Sequence, residues 1–155
     1  MPGTPESPAS EDSVLLAFDV GEQRIGVALA NTVTARASAL TVLRRTTNDR
    51  LFADLADLLA QWQPAALVVG RPLTEAGERQ PATDQAERFG RRLHGRFGLP
   101  VHFVDERYSS VAAQSWQREH ARGLGGARRS RAGLDQDDAV AAAIILQQFL
   151  NSHDS

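Results

Sequence analysis

The feature that most constrains the fold is a pair of short apolar segments joined by a very short turn. Residues 14–19 (VLLAFD) have β character, the turn GEQR (21–24) interrupts them, and residues 25–30 form a second apolar run. Because so short a connection cannot cross over a sheet, the two strands are predicted to form an antiparallel hairpin. Asp19 therefore stands at the end of a buried strand.

Downstream, helical and strand patterns alternate. Strands are predicted at residues 39–43, 66–69 and 101–104. Helices are predicted at residues 51–62, at 82–97, from Ser109 or Ser110, and from about Asp135 to Leu150. The order β-β-β-α-β-α-β-α-α predicts an α/β fold. Its mixed five-stranded sheet has the first three strands antiparallel and is flanked by helices.

Composition limits the classes of protein that remain. A chain of 155 residues is long enough for one domain, predicted at residues 13–151, and residues 1–12 are predicted to be a disordered tail because they are rich in proline, serine and acids. There is no cysteine, so disulfides and cysteine-ligated metal sites are excluded and a cytoplasmic location is expected. No apolar run approaches membrane-spanning length, and no membrane partner is expected.

Acidic residues stand at three informative places. Asp19 ends the first strand, Glu106 follows the fifth, and Asp135, Asp137 and Asp138 lie near the start of the last helix. Strands one and five are predicted to run parallel, which brings their carboxyl ends to one edge of the sheet. Carboxylates brought together repel each other, and a divalent cation such as Mg²⁺ relieves this. The pattern therefore indicates metal-assisted hydrolysis of a phosphodiester.

Each of these acids also has a purely structural interpretation. Asp19 before a glycine is also typical of a turn, and Glu106 could pair with Arg107 at the surface. Asp135 and Asp138 suit the start of a helix, where carboxylates accept backbone N–H bonds and complement the helix dipole. Convergence of the three places on one edge favours the functional interpretation.

Arginine is concentrated toward the end of the chain. Between residues 107 and 131 there are six arginines and one acid, and the stretch 121–133, with four arginines and four glycines, is predicted to be a mobile loop. Such a loop is either simply solvated or a clamp on nucleic-acid phosphates whose affinity falls as salt rises. The residues predicted to contact nucleic acid are Arg24, Arg107, Arg122, Arg128, Arg129 and Arg131.

Four segments together resemble a known family. They are AFDVGEQRIGVALAN (17–31), LVVGRPL (67–73), VDERYSS (104–110) and DAVAAAIILQQFL (138–150), and they resemble the YqgF family, described as pre-16S rRNA nucleases and as Holliday junction resolvase-like proteins. The resemblance implies a ribonuclease H-like fold of the RuvC resolvase type. It assigns Asp19, Glu106 and Asp138 as the catalytic and metal-binding acids, with Asp135 as an additional candidate ligand.

The function that follows is a nuclease dependent on Mg²⁺ or Mn²⁺, acting as a monomer or homodimer. The resemblance favours processing of the 5′ end of pre-16S rRNA in ribosome biogenesis. Two alternatives stay open: a Holliday junction resolvase acting on branched DNA, and a non-catalytic nucleic-acid-binding module. Retention of acids at all three positions argues against the inert module. An ATP-binding protein of the actin and sugar-kinase group is excluded, since its machinery needs two such domains and 155 residues supply one.

Overall fold

The computed structural model describes residues 13–106 and 131–152, with residues 131–137 described by their backbone alone. The elements in chain order are β1 (Val14–Val20), β2 (Arg24–Asn31), β3 (Arg36–Arg44), α1 (Asn48–Trp62), β4 (Ala66–Arg71), α2 (Pro81–Phe97), β5 (Val101–Asp105) and α3 (Arg131–Ser152).

The five strands form one mixed sheet in the order β3-β2-β1-β4-β5. Strands β1, β2 and β3 are antiparallel neighbours, whereas β4 runs parallel to both β1 and β5. The carboxyl ends of β1, β4 and β5 therefore share one edge of the sheet. This confirms the predicted fold class and the predicted parallel relation of the first and fifth strands.

Strand alternation divides the core between the two faces of the sheet. On β1, Leu16 and Phe18 pack with the apolar faces of α1 and α2, whereas Leu15 and Ala17 pack with α3. Since Asp19 follows Phe18, the same alternation directs Asp19 toward α3.

Local signals in the sequence place the two connecting helices. Helix α1 begins after Thr47, whose hydroxyl accepts a hydrogen bond from Arg50 N at 3.1 Å, as expected for a capping residue. It ends at Gln63, which adopts a left-handed conformation with φ of 47°. Helix α2 ends at Gly98, which has φ of 71° and donates its N–H to His94 O at 2.9 Å.

Helix α3 packs closely on the sheet because the facing residues are small. Gly26, Ala28 and Ala30 of β2 meet a helix surface that includes Ala142 and Ala143. A Cβ atom on Gly26 would overlap the carbonyl oxygen of Asp138 and lie 2.8 Å from Ala139 N. The crowding expected at Gly26 is thus a direct contact between the backbones of β2 and α3.

The partly buried side-chain amide of Gln147 holds the C-terminal end of α3. Gln147 Oε1 accepts a hydrogen bond from Ala37 N at 3.0 Å, and Gln147 Nε2 donates to Ala35 O at 3.1 Å. One side chain therefore satisfies two backbone groups at the start of β3 and sets the register of the helix over the sheet.

The last helix begins earlier than the sequence suggested. It starts at Arg131 rather than about Asp135, so residues 131–133 are helical and the predicted loop 121–133 is wrong for them. Asp138 then lies in the third turn, too far in to act as a cap, and its alternative interpretation as a helix-start residue is wrong. Residues 1–12, residues 121–130 and the helix predicted from Ser109 or Ser110 lie outside the described residues.

Within residues 13–106 and 131–152, no helix combines the length and apolar character needed to cross a bilayer.

The contact at Gly26 predicts a stability difference between two glycine substitutions. Gly26→Ala should lower the free energy of unfolding by about 1–3 kcal/mol, because α3 must move away from β2 to admit the methyl group. Urea unfolding followed by circular dichroism measures the change.

Gly95→Ala is the matched control. A Cβ atom on this α2 glycine meets nothing within 4 Å, so the variant should gain roughly 0.5–1 kcal/mol of stability from reduced backbone entropy. Equal unfolding midpoints for the two variants would contradict the proposed close packing.

Candidate active site

Asp19 lies at the centre of the edge where the parallel strands end. It is in register with Gly26 on β2, and on β4 the residue beside it is Gly70, because Phe18 pairs with Val69. Both lateral neighbours of Asp19 therefore lack a side chain. The space over Asp19 is open for groups that come from other elements.

Gly26 admits Asp138 to that space. The backbone of α3 packs directly on Gly26 at Asp138, which places this residue beside Asp19. Asp138 Oδ2 lies 2.8 Å from Arg24 Nε, and both side chains are half-buried. The two atoms are close but poorly aligned, so that, among the residues described, Oδ2 is a buried oxygen without a hydrogen bond.

Gly70 admits Glu106 in the same way. A Cβ atom on Gly70 would lie 2.9 Å from Glu106 Cδ and would overlap both Glu106 Oε2 and the Cδ1 of Ile145. The carboxylate of Glu106, which follows β5, thus occupies the volume that a side chain at residue 70 would need. Two glycines, one on each side of Asp19, make room for the two other acids.

The three carboxylates influence one another electrostatically. Burial, with the negative charge of Asp138, raises the pKa of Asp19 to about 6. Burial, followed by the charges of Asp19 and Asp105, raises the pKa of Glu106 to about 8. We call Asp19, Glu106 and Asp138 the acidic cluster. The charge of Asp138 thus disfavours the charged form of Asp19, and the charge of Asp19 disfavours that of Glu106, as expected for carboxylates in a partly desolvated site.

The turn after β1 is held in part by Arg45, which follows β3 and lies outside the β1–β2 hairpin. Gly21 N donates to Arg24 O at 2.9 Å, and the Nη1 of Arg45 donates to Gly21 O at 2.7 Å. A Cβ atom on Gly21 would lie 2.8 Å from Arg24 O, so the tight turn needs glycine. Arg45 thereby fixes the position of the chain just beyond Asp19.

The structure brings together only part of the predicted set. Asp19, Glu106, Asp138 and Arg24 meet at one edge, although Arg24 contacts Asp138. Asp135 and Arg131 lie on the first turns of α3, where only the backbone is described. The remaining predicted contacts lie outside the described residues; they are Arg107, Arg122, Arg128 and Arg129.

Two residues of the site escaped sequence reasoning. Gly70 directly follows the predicted strand 66–69 in the LVVGRPL segment, and that position was the available signal. Arg45 carried no signal, because its role depends on a hydrogen bond to Gly21, 24 residues away.

The donors of the acidic cluster fit a hard divalent cation. All are carboxylate oxygens, two have raised pKa values, and Asp138 Oδ2 lacks a hydrogen bond in the described part of the chain. The arrangement is open, however. Among the described residues, no three acidic or histidine side chains form a ready-made metal site. Asp138 lies against Arg24.

Comparison with known sequences finds a matching family and similar proteins. A family profile described as "RuvX: Holliday junction resolvase" matches residues 13–152. A protein of Burkholderia cenocepacia strain HI2424 named "Putative pre-16S rRNA nuclease" is 50% identical over 143 residues, covering 92% of each chain. A protein of the same name from Burkholderia vietnamiensis strain G4 is 49% identical over the same length, with the same coverage.

Solved structures agree on the fold. The RuvC protein of T. thermophilus, in complex with a Holliday junction substrate, superposes with a TM-score of 0.61 at 18% identity, covering 92% of this chain and 96% of that one. The Fowlpox virus resolvase, with its substrate Holliday junction DNA, gives a TM-score of 0.58 at 9% identity, with 90% and 97% coverage. The sequence match over residues 13–152 confirms the resemblance of the motifs to the YqgF family, which is also called RuvX. The chain belongs to the RuvX family.

Proposed function

We propose that this protein is a divalent-metal-dependent endonuclease that hydrolyses phosphodiester bonds of precursor 16S rRNA in the cytoplasm. The observation that carries the proposal is the acidic cluster, assembled over Asp19 by the space at Gly26 and Gly70. Membership of a family described as resolvases supports the cleavage of nucleic acid.

The proposed roles follow from the position of each acid. Asp19, which lies between the two other acids, would be a central ligand of the bound cation. Glu106 and Asp138 would complete the ligand set from opposite sides, with Asp135 as a further candidate on α3. The cation, Mg²⁺ or Mn²⁺, supplies Lewis-acid activation of water and of the scissile phosphate when bound. Arg24, which lies beside Asp138, would hold this acid in place and would be near enough to contact a substrate phosphate.

The choice of RNA over branched DNA rests on the degree of relatedness. The relatives named for pre-16S rRNA are 49–50% identical over nearly the whole chain. The resolvases solved with Holliday junctions are 9–18% identical, a level at which only the fold carries over. Resolution of a junction would also require a symmetric dimer to cut two strands, whereas RNA processing does not.

The predicted arginine contacts extend this site. Arg107, Arg122, Arg128, Arg129 and Arg131 follow Glu106 or precede Asp138 in the chain, so we expect them to contact the substrate backbone near the acidic cluster. Their contribution is electrostatic and should weaken as salt rises.

The first prediction concerns the acids themselves. Asp19→Asn, Glu106→Gln and Asp138→Asn should each reduce cleavage of a precursor 16S rRNA fragment by about 100-fold or more, because each removes a charged ligand from a site that stabilises the transition state by several kcal/mol. Cleavage is measured with Mn²⁺ and with chelator, beside a four-way DNA junction. Wild-type activity in Asp19→Asn would refute the assignment.

Asp57→Asn is the matched control for these variants. Asp57 is exposed on α1, away from the acidic cluster, so its cleavage rate should equal that of the wild type. Circular dichroism should show all four variants folded. The amide side chains introduced in the acidic cluster remove charge repulsion and keep the volume of the acids they replace.

The second prediction concerns pH and stability without metal. The pKa of Glu106 is raised to about 8 from 4.5, so the folded state binds more protons than the unfolded state between these values. Stability conferred by the protonated acid is therefore complete below about pH 4 and is lost as pH rises through about 8. In chelator, the melting temperature of wild type should fall relative to that of Glu106→Gln between pH 5 and pH 9.

Added Mn²⁺ should reverse this trend, because the cation binds the deprotonated acids and its stabilisation grows with pH. If the melting temperatures of wild type and Glu106→Gln changed equally with pH across this range, the pKa of Glu106 would not be raised by its surroundings.

The third prediction concerns Gly70, where the lack of a side chain leaves room both for the Glu106 carboxylate and for Ile145. Gly70→Ala should displace the Glu106 carboxylate and lower Mn²⁺ affinity by about 10- to 100-fold, the usual effect of disturbing the surroundings of a metal ligand. It should also destabilise the protein, because the methyl group overlaps Ile145 Cδ1. Calorimetric titration measures the first effect and urea unfolding the second.

The double variant Gly70→Ala/Ile145→Val tests which contact matters. Valine lacks the Cδ1 atom, so stability should partly return while Mn²⁺ affinity stays low. Recovery of full affinity in the double variant would show that Glu106 does not depend on the space at Gly70.

A further inference from the structure

A second polar depression opens beside the active-site edge, on the opposite face of the sheet from α3. It consists of two adjoining cavities of about 270 Å³ and about 40 Å³ that share Arg45, Asn48, Leu51 and Gln85. We call it the α1–α2 cleft, because it runs from the connection before α1 down between α1 and α2. Leu51, Phe52 and Phe89 form its apolar floor.

The cleft is positively charged. Arg45, Arg88 and Arg92 line it, against a single acid, Glu22. Arg88 and Arg92 are four residues apart on α2, so their side chains lie on one face of the helix. The N-terminal end of α1 opens on the same cleft and adds a partial positive charge.

In the part of the chain that the structure describes, Arg88 and Arg92 lack the ion pairs that Arg50, Arg71 and Arg79 have. Arg79 lies 2.7 Å from Glu87 Oε1 and Arg71 lies 3.4 Å from Glu87 Oε2, and Arg50 pairs with Asp54 at 3.5 Å. No ion pair within residues 13–106 and 138–152 involves Arg88 or Arg92. Uncompensated positive charge in a cleft attracts anions.

The cleft adjoins the acidic cluster through the β1–β2 turn. Arg45 lines the cleft and also donates to Gly21 O at 2.7 Å, and Glu22, which lines the same cavity, stands three residues after Asp19. The acids lie on the α3 face and the cleft on the α1–α2 face. A strand held at Asp19 reaches the cleft by crossing this turn at the edge of the sheet.

We propose that the α1–α2 cleft binds the phosphodiester backbone of the substrate strand beyond the cleavage site. Arginine guanidinium groups suit phosphate oxygens, and Asn48, Thr46 and Gln85 add hydrogen-bonding groups along the cleft wall. The contacts are to the backbone, so they serve affinity rather than sequence choice. This inference rests on the proposed nuclease function and extends its binding surface to residues that the sequence motifs do not include.

The test compares binding and cleavage in the variant Arg88→Gln/Arg92→Gln. Binding of a fluorescent single-stranded RNA is measured by anisotropy in chelator between 50 and 200 mM salt. Loss of two phosphate contacts should make the slope of log affinity against log salt shallower by about 1.4, since each contact on a single strand contributes roughly 0.7. In Mn²⁺, KM for the RNA fragment should rise while kcat keeps its value.

Arg50→Gln/Arg91→Gln is the control of equal charge. Both arginines are exposed on the same two helices and neither lines the cleft, so slope and KM should stay at the wild-type values. DNA of the same sequence should show the same loss of slope as RNA in the cleft variant, since the contacts are to phosphates.

An unchanged slope in the cleft variant, or an equal loss in both double variants, would overturn the cleft while leaving the nuclease intact. A wild-type protein that neither binds nor cleaves RNA would overturn the proposed function, and the cleft with it.

Discussion

The contact between the α3 backbone and β2 at Gly26 determines where Asp138 lies relative to Asp19. A helix normally stands off from a sheet by the length of the side chains between them. Here glycine and alanine remove that spacer, and the Asp138 carbonyl group occupies the place of a side chain on residue 26. The helix can then present Asp138 beside Asp19 rather than above a layer of apolar side chains. Gln147 holds the other end of the helix by two hydrogen bonds to the chain at the start of β3.

The small residues that admit the acids also allow carboxylates to approach each other, and their repulsion costs free energy. Asp19, Glu106 and Asp138 enter one partly desolvated space, and the pKa of two of them rises as a result. Arg24 offsets part of the charge by approaching Asp138. A cation that relieves such repulsion would stabilise the fold, so metal binding and folding stability would be linked in the proposed nuclease.

Much of the fold and part of the site could be predicted from local patterns. The hairpin, the parallel strands and the capped helices each follow from neighbouring residues, as do the positions of Asp19 and Glu106 at strand ends. The start of α3 was placed about four residues too late, because acids near a helix start resemble caps and Asp138 was counted among them. Gly70 and Arg45 were missed, since their roles depend on Glu106 and Gly21, which are distant in sequence.

The sequence by itself determined the order of the strands and helices that the structure describes, the family, and which acids stand at strand ends, because periodicity, turns and motifs are local properties of the chain. Only the tertiary structure decided that the acids share one space, that two glycines make this space, and that Arg24 faces Asp138. It also decided that Arg45, Arg88 and Arg92 line one cleft. These are relations between residues on different elements, and they exist only once the sheet and helices have packed.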